Sequence, residues 1–448
     1  MDTTSGTLIP NYKHKGKYVL YFGEKSIKIA FSKDLKTWEV FKKPVFQLPK
    51  LRKSYNIRIK RLKTAGRRIG LTYCLYKKGK EVYSSEKTIF FDKNNPKKIL
   101  TKRRRKKTFF APFLKKLKNN PILRPIVNHF WESKLVFNPA TVWEAEKVHL
   151  VYRAMGENDV SVLGYASSKD GINIDERLKE PIYVPTQPFE SNPQAPQTSF
   201  AGYMSGGGCG GCEDPRLTKI DNRFYMTYSA FNGREAPRVA LTSIKVDDFL
   251  NKKWKWEHPV LISPPGEIHK NWAIFPEKIN NRYAILHSIS PEVSIAYVDS
   301  LKFDGSTYIN SYYSGDLRKD CWDSWVRGAG PPPIKTKDGW LILYHAMDKQ
   351  DPNRYKIGAK ILDYKDPTKV LCRSSQPILE PDERYENEGF KAGVVYTCGA
   401  AAVNNRLFVY YGGADTVVCA AQANLNEFLD QLKYSGSAKL EPIAKFND

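Results

Sequence analysis

The sequence predicts an all-β fold: a five-bladed β-propeller preceded by a basic, β-rich extension. Three observations point there. A phrase of alternating apolar and aromatic residues recurs five times, helical periodicity is almost absent, and the first quarter of the chain differs sharply in charge from the rest.

The recurring phrase is a polar turn, an apolar and aromatic strand pattern, and a second strand pattern. It runs as EKVHLVYRAMG…SVLGYASSKDG (146–171), NRFYMTYSAFNG…PRVALTSI (222–244) and NRYAILHSISPEVSIAYV (281–298). It returns as GWLILYHAMD…YKIGAKILD (339–363) and NRLFVYYGGADTVVCAAQANL (405–425). Each copy reads as a hairpin with period-2 alternation and a Gly, Asn or Asp turn. The matched positions Tyr152, Tyr228, Leu286, Tyr344 and Tyr410 lie 76, 58, 58 and 66 residues apart. A four-stranded blade takes about 40–50 residues before long loops are added. Five such units in 125–435 therefore predict five blades. NEFLDQLKY (426–434) is the short helical exception.

Two further copies lie upstream. GKYVLYFGEKSIKIAFSKDLKTW (16–38) has the same strand–turn–strand layout, and RRIGLTYCLYKKGKEVYSSEKTIFF (67–91) matches more loosely. The expected boundaries are the extension with blade-like hairpins at 1–96, a basic linker at 97–120, the propeller at 121–435 and a tail at 436–448.

The net charge of +25 is concentrated. Residues 1–118 hold 34 Lys and Arg against 7 Asp and Glu, a balance of +27, so the remainder carries −2. A basic flank of this kind is either a solvated face or a contact for an anionic surface, and KKILTKRRRKKTFFAPFLKKLKNN (97–120) is its densest part. That stretch reads as a linker or as an amphipathic helix on a membrane face; nothing in it points strongly to nucleic acid. No run of about 18 apolar residues predicts a membrane span. The start, MDTTSGTLIPNYKHK, lacks a secretory layout, and seven scattered cysteines fit reduced thiols. A cytoplasmic location is expected.

In a propeller, the inner strand of every blade faces one central channel, so polar residues near the matched strands converge there. In order they are Asn138 and Arg153; Glu213, Asp214 and Arg216; Lys270, Glu277 and His287; Asp323, Arg327 and His345; and Asp415. This mixture of acids and bases argues against a Ser–His–Asp triad and fits a polar, anionic or sugar-like ligand. His287 and His345 interrupt apolar strands, where a satisfied core histidine is the commoner outcome. Cys209 and Cys212 have metal-like spacing but lack a second pair, so no metal is expected. GGGCGGCEDPRL (206–217) is the densest motif. Its glycines suit a close backbone approach, and paired acids followed by proline and arginine suit the aiming of one carboxyl.

At these residues the chain resembles glycoside hydrolase family 130, the β-mannoside phosphorylases and mannosidases, over about 120–435. The resemblance rests on NPILRPIVNHFWESKLVFNPAT, VYRAMG…DVSVLGYASSKDG, CEDPRLTKIDNRFYMTYSAF, FPEKIN, GAGPPPIKTKDGWLILYH, YKIGAKILD, PILEPDERYE and YYGGADT, in that order. It implies a five-bladed propeller that needs no metal or organic cofactor. It makes Asp214 the general acid, protonating the glycosidic oxygen by way of a sugar hydroxyl, with burial and Glu213 expected to raise its pKa. Asn138, Arg153, Glu213, Arg216 and Asp415 fall to the sugar, with Pro215 and Arg216 also holding the turn.

The phosphorylases of that family attack the anomeric carbon with inorganic phosphate and invert it. The resemblance gives Lys270 and His345 to the phosphate. The chain departs at two places: Ser288 stands where LHR is common, and Val326 stands where a lysine usually precedes GAG by two, with Arg327 one place later. Arg327 is a candidate replacement, although one step along a strand turns a side chain to the other face. Three readings follow. The first is an inverting phosphorylase acting on a β-mannoside oligosaccharide and releasing mannose 1-phosphate. The second is an inverting mannosidase with Glu277 or Asp323 as base. The third is a non-catalytic carbohydrate-binding propeller.

Overall fold

The recurrent phrases fold as consecutive antiparallel strands. The computed structural model describes residues 6–47, 56–65, 68–76, 87–99, 113–191, 210–311 and 321–435. The linker segment 100–112, Cys209 and the tail 436–448 lie outside them. The chain divides into two units, Met1–Phe109 and Phe110–Asp448.

In the first unit, Gly6–His14, Lys17–Phe22, Ser26–Ser32 and Glu39–Val40 pair in order, with Phe46–Gln47 added to the third strand. A second sheet runs Asn56–Ala65, Arg68–Tyr76, Lys87–Asp92 and Asn95–Ile99. The alternating residues Val19, Tyr21, Ile27, Ile29, Ile57, Ile59, Ile69 and Leu71 come from both sheets and form one apolar core. The basic quarter is therefore folded β structure through its described residues.

The second unit holds five successive sheet repeats. The first is Leu135–Glu144, Lys147–Met155, Val160–Ser168 and Glu176–Arg177. The second is Gly210–Ile220, Arg223–Phe231, Arg238–Lys245 and Val260–Leu261. The third has three strands, Ala273–Ile274, Tyr283–Ser288 and Ser294–Val298. The fourth is Trp325–Ala329, Gly339–Asp348, Asp351–Leu362 and Val370–Arg373, with Ile334–Thr336 on its second strand. The fifth is Val395–Val403, Arg406–Gly413 and Val417–Asn424; its outer strand is Lys115–Lys116, which comes from the start of the unit.

The middle strands are buried on both faces, which is why they read as nearly unbroken apolar runs. Each face serves a different core. Repeats one and two share a core through Val151 and Met226, and repeats two and three through Leu241 and Ile285. Repeats three and four share one through Leu286 and Ile342, and repeats four and five through Leu343 and Val409. Repeat five then shares a core with repeat one through Tyr410 and Tyr152. The helix Leu425–Ser435 lays Phe428, Leu429 and Leu432 on the fourth of these cores.

The matched tyrosines have a physical reason. Tyr152 donates its hydroxyl to Glu132 at 2.8 Å, Tyr344 donates to Asp323 at 2.6 Å, and Tyr228 donates to Glu190. In repeat five the neighbouring Tyr411 donates to Glu386 at 2.8 Å, while Tyr410 reaches the Gly171 carbonyl at 2.6 Å. A buried carboxylate ahead of each of these four repeats is thus satisfied by a tyrosine inside it. Leu286 leaves repeat three without the device.

Candidate active site

One backbone irregularity positions the polar residues. In repeat one the pairing slips between Phe137 and Ala140, and in repeat two between Glu213 and Arg216. Two residues then oppose one, as in a β-bulge. The first bulged residue is left-handed in both, Asn138 at φ 46° and Asp214 at φ 50°, and proline follows each. Asn and Asp tolerate that region better than other side-chain-bearing residues. Asp415 is left-handed as well, at φ 49°.

These bulges bring Asn138, Arg153 and Asp214 together. Asn138 donates from Nδ2 to Asp214 Oδ1 at 2.8 Å, and Arg153 donates from Nη1 to the same oxygen at 3.3 Å. Arg153 also reaches Glu213 at 2.8 Å and Ser161 at 2.9 Å. All four charged or amide groups are buried. Among the described residues Asn138 Oδ1 is buried without a hydrogen-bond partner.

Arg216 is committed to the scaffold. It donates to the carbonyls of Gly330 at 2.7 Å, Ala329 at 3.1 Å and Asp214 at 2.8 Å, and to Asn271 Oδ1 at 2.9 Å. It clamps repeat two to repeat four and, through the Asp214 carbonyl, holds the turn that carries Asp214. A Cβ on Gly211 would lie 2.2 Å from the Ser161 carbonyl oxygen, and Gly211 sits at φ 114°. That glycine admits the parallel pairing of 160–161 with 210–211.

The charge state of Asp214 also differs from expectation. Burial pushes its carboxyl up, but Arg153, the Asn138 amide, Arg216 and Lys270 outweigh burial and hold it below the usual carboxylate range. Asp415 behaves oppositely. It is buried, and among the described residues it forms no hydrogen bond or ion pair. Burial pushes it up to about 6, with Lys391 opposing and Asp214 adding to the rise. The proton expected on Asp214 is therefore more easily held by Asp415 in the unliganded site.

Lys270 and Arg327 line one cleft with His287 and Ser288. Val326 packs into the apolar core, whereas Arg327 is the extra residue of a bulge between Val326 and Gly328 and so faces the cleft. The Arg327 guanidinium lies 4.5 Å from the Trp325 ring centre, and its Nε donates to Tyr355 Oη at 3.2 Å. His345 is stacked on Tyr396 at 3.8 Å. Burial and then Arg216 push it down to about 3, so it is a neutral group and not the cation its motif implied. Its Nε2 lies 2.9 Å from the Thr397 carbonyl oxygen and 3.0 Å from the Thr397 N–H, and among the described residues its buried Nδ1 has no hydrogen-bond partner.

The remaining candidates lie elsewhere or are occupied. Glu277 is half-exposed and pairs with Lys335 at 2.6 Å. Asp323 is buried between Tyr344 and Arg373. His287 pairs with Ser311 at 2.8 Å and is pushed down to about 4 by burial and His269. Cys212 is buried against Glu190, and among the described residues no group of three or more potential metal ligands forms.

Asn271 was missed from sequence. At φ 67° it accepts from Arg216 and from Tyr396 Oη at 2.5 Å, and it donates to the Arg327 carbonyl at 2.8 Å. Its signal was Gly328: a Cβ there would meet Asn271 Nδ2 at 2.4 Å. Tyr355 and Lys391 were missed as well, since neither recurs in the other sheet repeats.

Residues 113–434 match a family model described as beta-1,4-mannooligosaccharide phosphorylase. The chain is 39% identical over 321 residues to a beta-1,2-mannobiose phosphorylase of Thermoanaerobacter sp. (strain X514), covering 69% of this chain and 96% of that protein. It is 39% identical to a 1,2-beta-oligomannan phosphorylase of the same strain, with the same coverage, and 30% identical to a beta-1,4-mannooligosaccharide phosphorylase of Ruminococcus albus over 68% of this chain and 87% of that protein. Among solved structures, beta-1,2-mannobiose phosphorylase from Listeria innocua in complex with beta-1,2-mannobiose is similar with a TM-score of 0.56 at 26% identity, covering 72% of this chain and 99% of that one.

Proposed function

The chain belongs to glycoside hydrolase family 130, and from that premise we propose that it is an inverting β-mannoside phosphorylase. It uses inorganic phosphate to cleave β-linked mannosides and releases α-mannose 1-phosphate. The relatives at 39% identity are β-1,2 enzymes and the one at 30% acts on β-1,4 linkages, so β-1,2-mannosides are the preferred substrate.

The five sheet repeats form a five-bladed propeller. The cyclic sequence of shared cores supports this, each sheet packing on the next and the fifth on the first. Asp214 is the general acid, and Asn138, Arg153 and Asp415 surround the mannosyl ring. Glu213 holds Arg153 in place. Lys270, Arg327 and the Nδ1 side of His345 receive phosphate.

The observation that carries the reading is the nearness of a buried acid to an excess of cations. Arg153, Arg216, Lys270, Arg327 and Lys391 make five, against Glu213, Asp214 and Asp415. Such a site gains most from a dianion. The dianion also resolves the low pKa of Asp214. Phosphate beside Lys270 offsets one of the charges that keep that carboxyl ionised, so its affinity for a proton rises as the second substrate binds. The hydrolytic reading takes Glu277 or Asp323 as its base, and both are otherwise engaged.

The enzyme works in the cytoplasm without a metal. The basic residues 97–120 contact an anionic surface. Among the described residues no helix is long and apolar enough to cross a membrane.

The test is incubation with β-1,2- and β-1,4-mannobiose, with and without phosphate. Mannose 1-phosphate formed only with phosphate, and faster from the β-1,2 disaccharide, is expected. Free mannose without phosphate would replace this reading with hydrolysis, and binding without turnover would replace it with a carbohydrate-binding role.

A further inference from the structure

A third cation shares Tyr355 with Arg327 and comes from a part of the chain that no motif marks. Lys391 lies ahead of repeat five. Its backbone N–H is fixed on the Ala414 carbonyl at 2.9 Å, and its Nζ stands 4.9 Å from the centre of the Tyr355 ring. The Tyr355 hydroxyl is the one that accepts from Arg327. Among the described residues Lys391 has no ion pair, though its side chain is only partly exposed. Lys270, Arg327 and Lys391 act together on Tyr355. Burial would raise its phenol, yet the three cations turn the shift downward. The charges of Lys391 and Arg327 also oppose that of Lys270. Gathering like charges on partly desolvated ground is unfavourable until an anion joins them.

We propose that Lys391 is a phosphate ligand, completing with Lys270 and Arg327 a cation set that lacks a lysine at position 326. The inference rests on the phosphorolytic reading above. Arg327 supplies a planar fork and Lys391 a point charge on a long stem, the two meeting at Tyr355.

The experiment compares wild type, Lys391→Met and Lys391→Arg. Initial rates of phosphorolysis are measured against phosphate and against mannobiose, and phosphate-dependent shifts in Tm are measured without sugar. Lys391→Met is expected to raise KM for phosphate by roughly 10- to 100-fold, the loss of one charge-assisted contact, with KM for mannobiose within about twofold. Its phosphate-induced Tm shift should vanish, and Lys391→Arg should recover most of both. An unchanged KM for phosphate in Lys391→Met would overturn the proposal. So would a loss that falls on mannobiose instead, because Lys391 would then serve the sugar through Asp415. If wild type makes no mannose 1-phosphate, phosphorolysis fails as a reading, and the Tm shifts with and without Lys391 still decide whether this residue binds phosphate.

Discussion

Replacing Asp214 by Asn separates proton donation from folding. In the native site, Asp214 Oδ1 accepts from Asn138 at 2.8 Å and from Arg153 at 3.3 Å. An Asn side chain keeps one oxygen for these donors. Arg153 retains Glu213 at 2.8 Å and Ser161 at 2.9 Å, so its charge stays paired. The folding loss is then that of one charged hydrogen bond, about 1.5–3 kcal/mol, below what an orphaned buried charge would take. A positioned general acid contributes about 10²–10⁴ in rate. At 1.36 kcal/mol per decade, that is about 2.7–5.4 kcal/mol of barrier. The assay is release of mannose 1-phosphate from β-1,2-mannobiose at saturating phosphate, run beside an aryl β-mannoside whose leaving group needs no proton. Asp214→Asn should lose about 10²–10⁴ on mannobiose and less than about tenfold on the aryl substrate. Mannobiose turnover within tenfold of wild type, or equal collapse on both substrates, refutes the assignment.

Three other outcomes are expected. Asp415 has a folded pKa of about 6 against an ordinary 3.8, so its stabilising contribution is full below about pH 4 and is lost as pH rises through 6. Unfolding free energies of wild type and Asp415→Asn should therefore diverge over that window, by up to about 3 kcal/mol, to the disadvantage of wild type; a constant difference contradicts this. Gly211→Ala forces a Cβ to 2.2 Å from the Ser161 carbonyl at a left-handed φ, so its Tm should fall by several degrees or soluble protein should be lost, and a native Tm would show that the parallel join is dispensable. Tyr411→Phe removes a buried donor to Glu386, which keeps Lys116 and the N–H groups of Asp382 and Glu383; a loss of about 1–3 kcal/mol in denaturant unfolding is expected, and no loss would mean the tyrosine–carboxylate device is not stabilising.

The hairpins were legible because each repeats one apolar phrase at a fixed offset from its turn. The tyrosines were legible for the same reason, but their carboxylate partners were not: Glu132, Glu190, Asp323 and Glu386 stand 20 to 38 residues away from them at differing offsets. Asp214 could be picked out because Asp-Pro in a strand demands a local exception, as Asn138-Pro139 does. Its charge state could not, since the deciding guanidinium of Arg153 comes from another repeat. Val326 and Arg327 read as a one-residue misplacement on a regular strand. The bulge there re-aims the arginine, and a bulge between Val326 and Gly328 leaves no mark except the glycine that lets Asn271 approach. Lys391 and Tyr355 were silent because a lysine beside a phenylalanine and a tyrosine in a strand are ordinary neighbours.

The short strand Lys115–Lys116 has a consequence for biosynthesis. It pairs with Ala421 and Gln422, near the far end of the same unit. Every other described strand of the unit is synthesised before that partner strand, Val417–Asn424, so the earliest strand of the unit waits, unmatched, for the last. Completion of this sheet must therefore follow synthesis of Val417–Asn424, which makes it a long-range pairing that forms late.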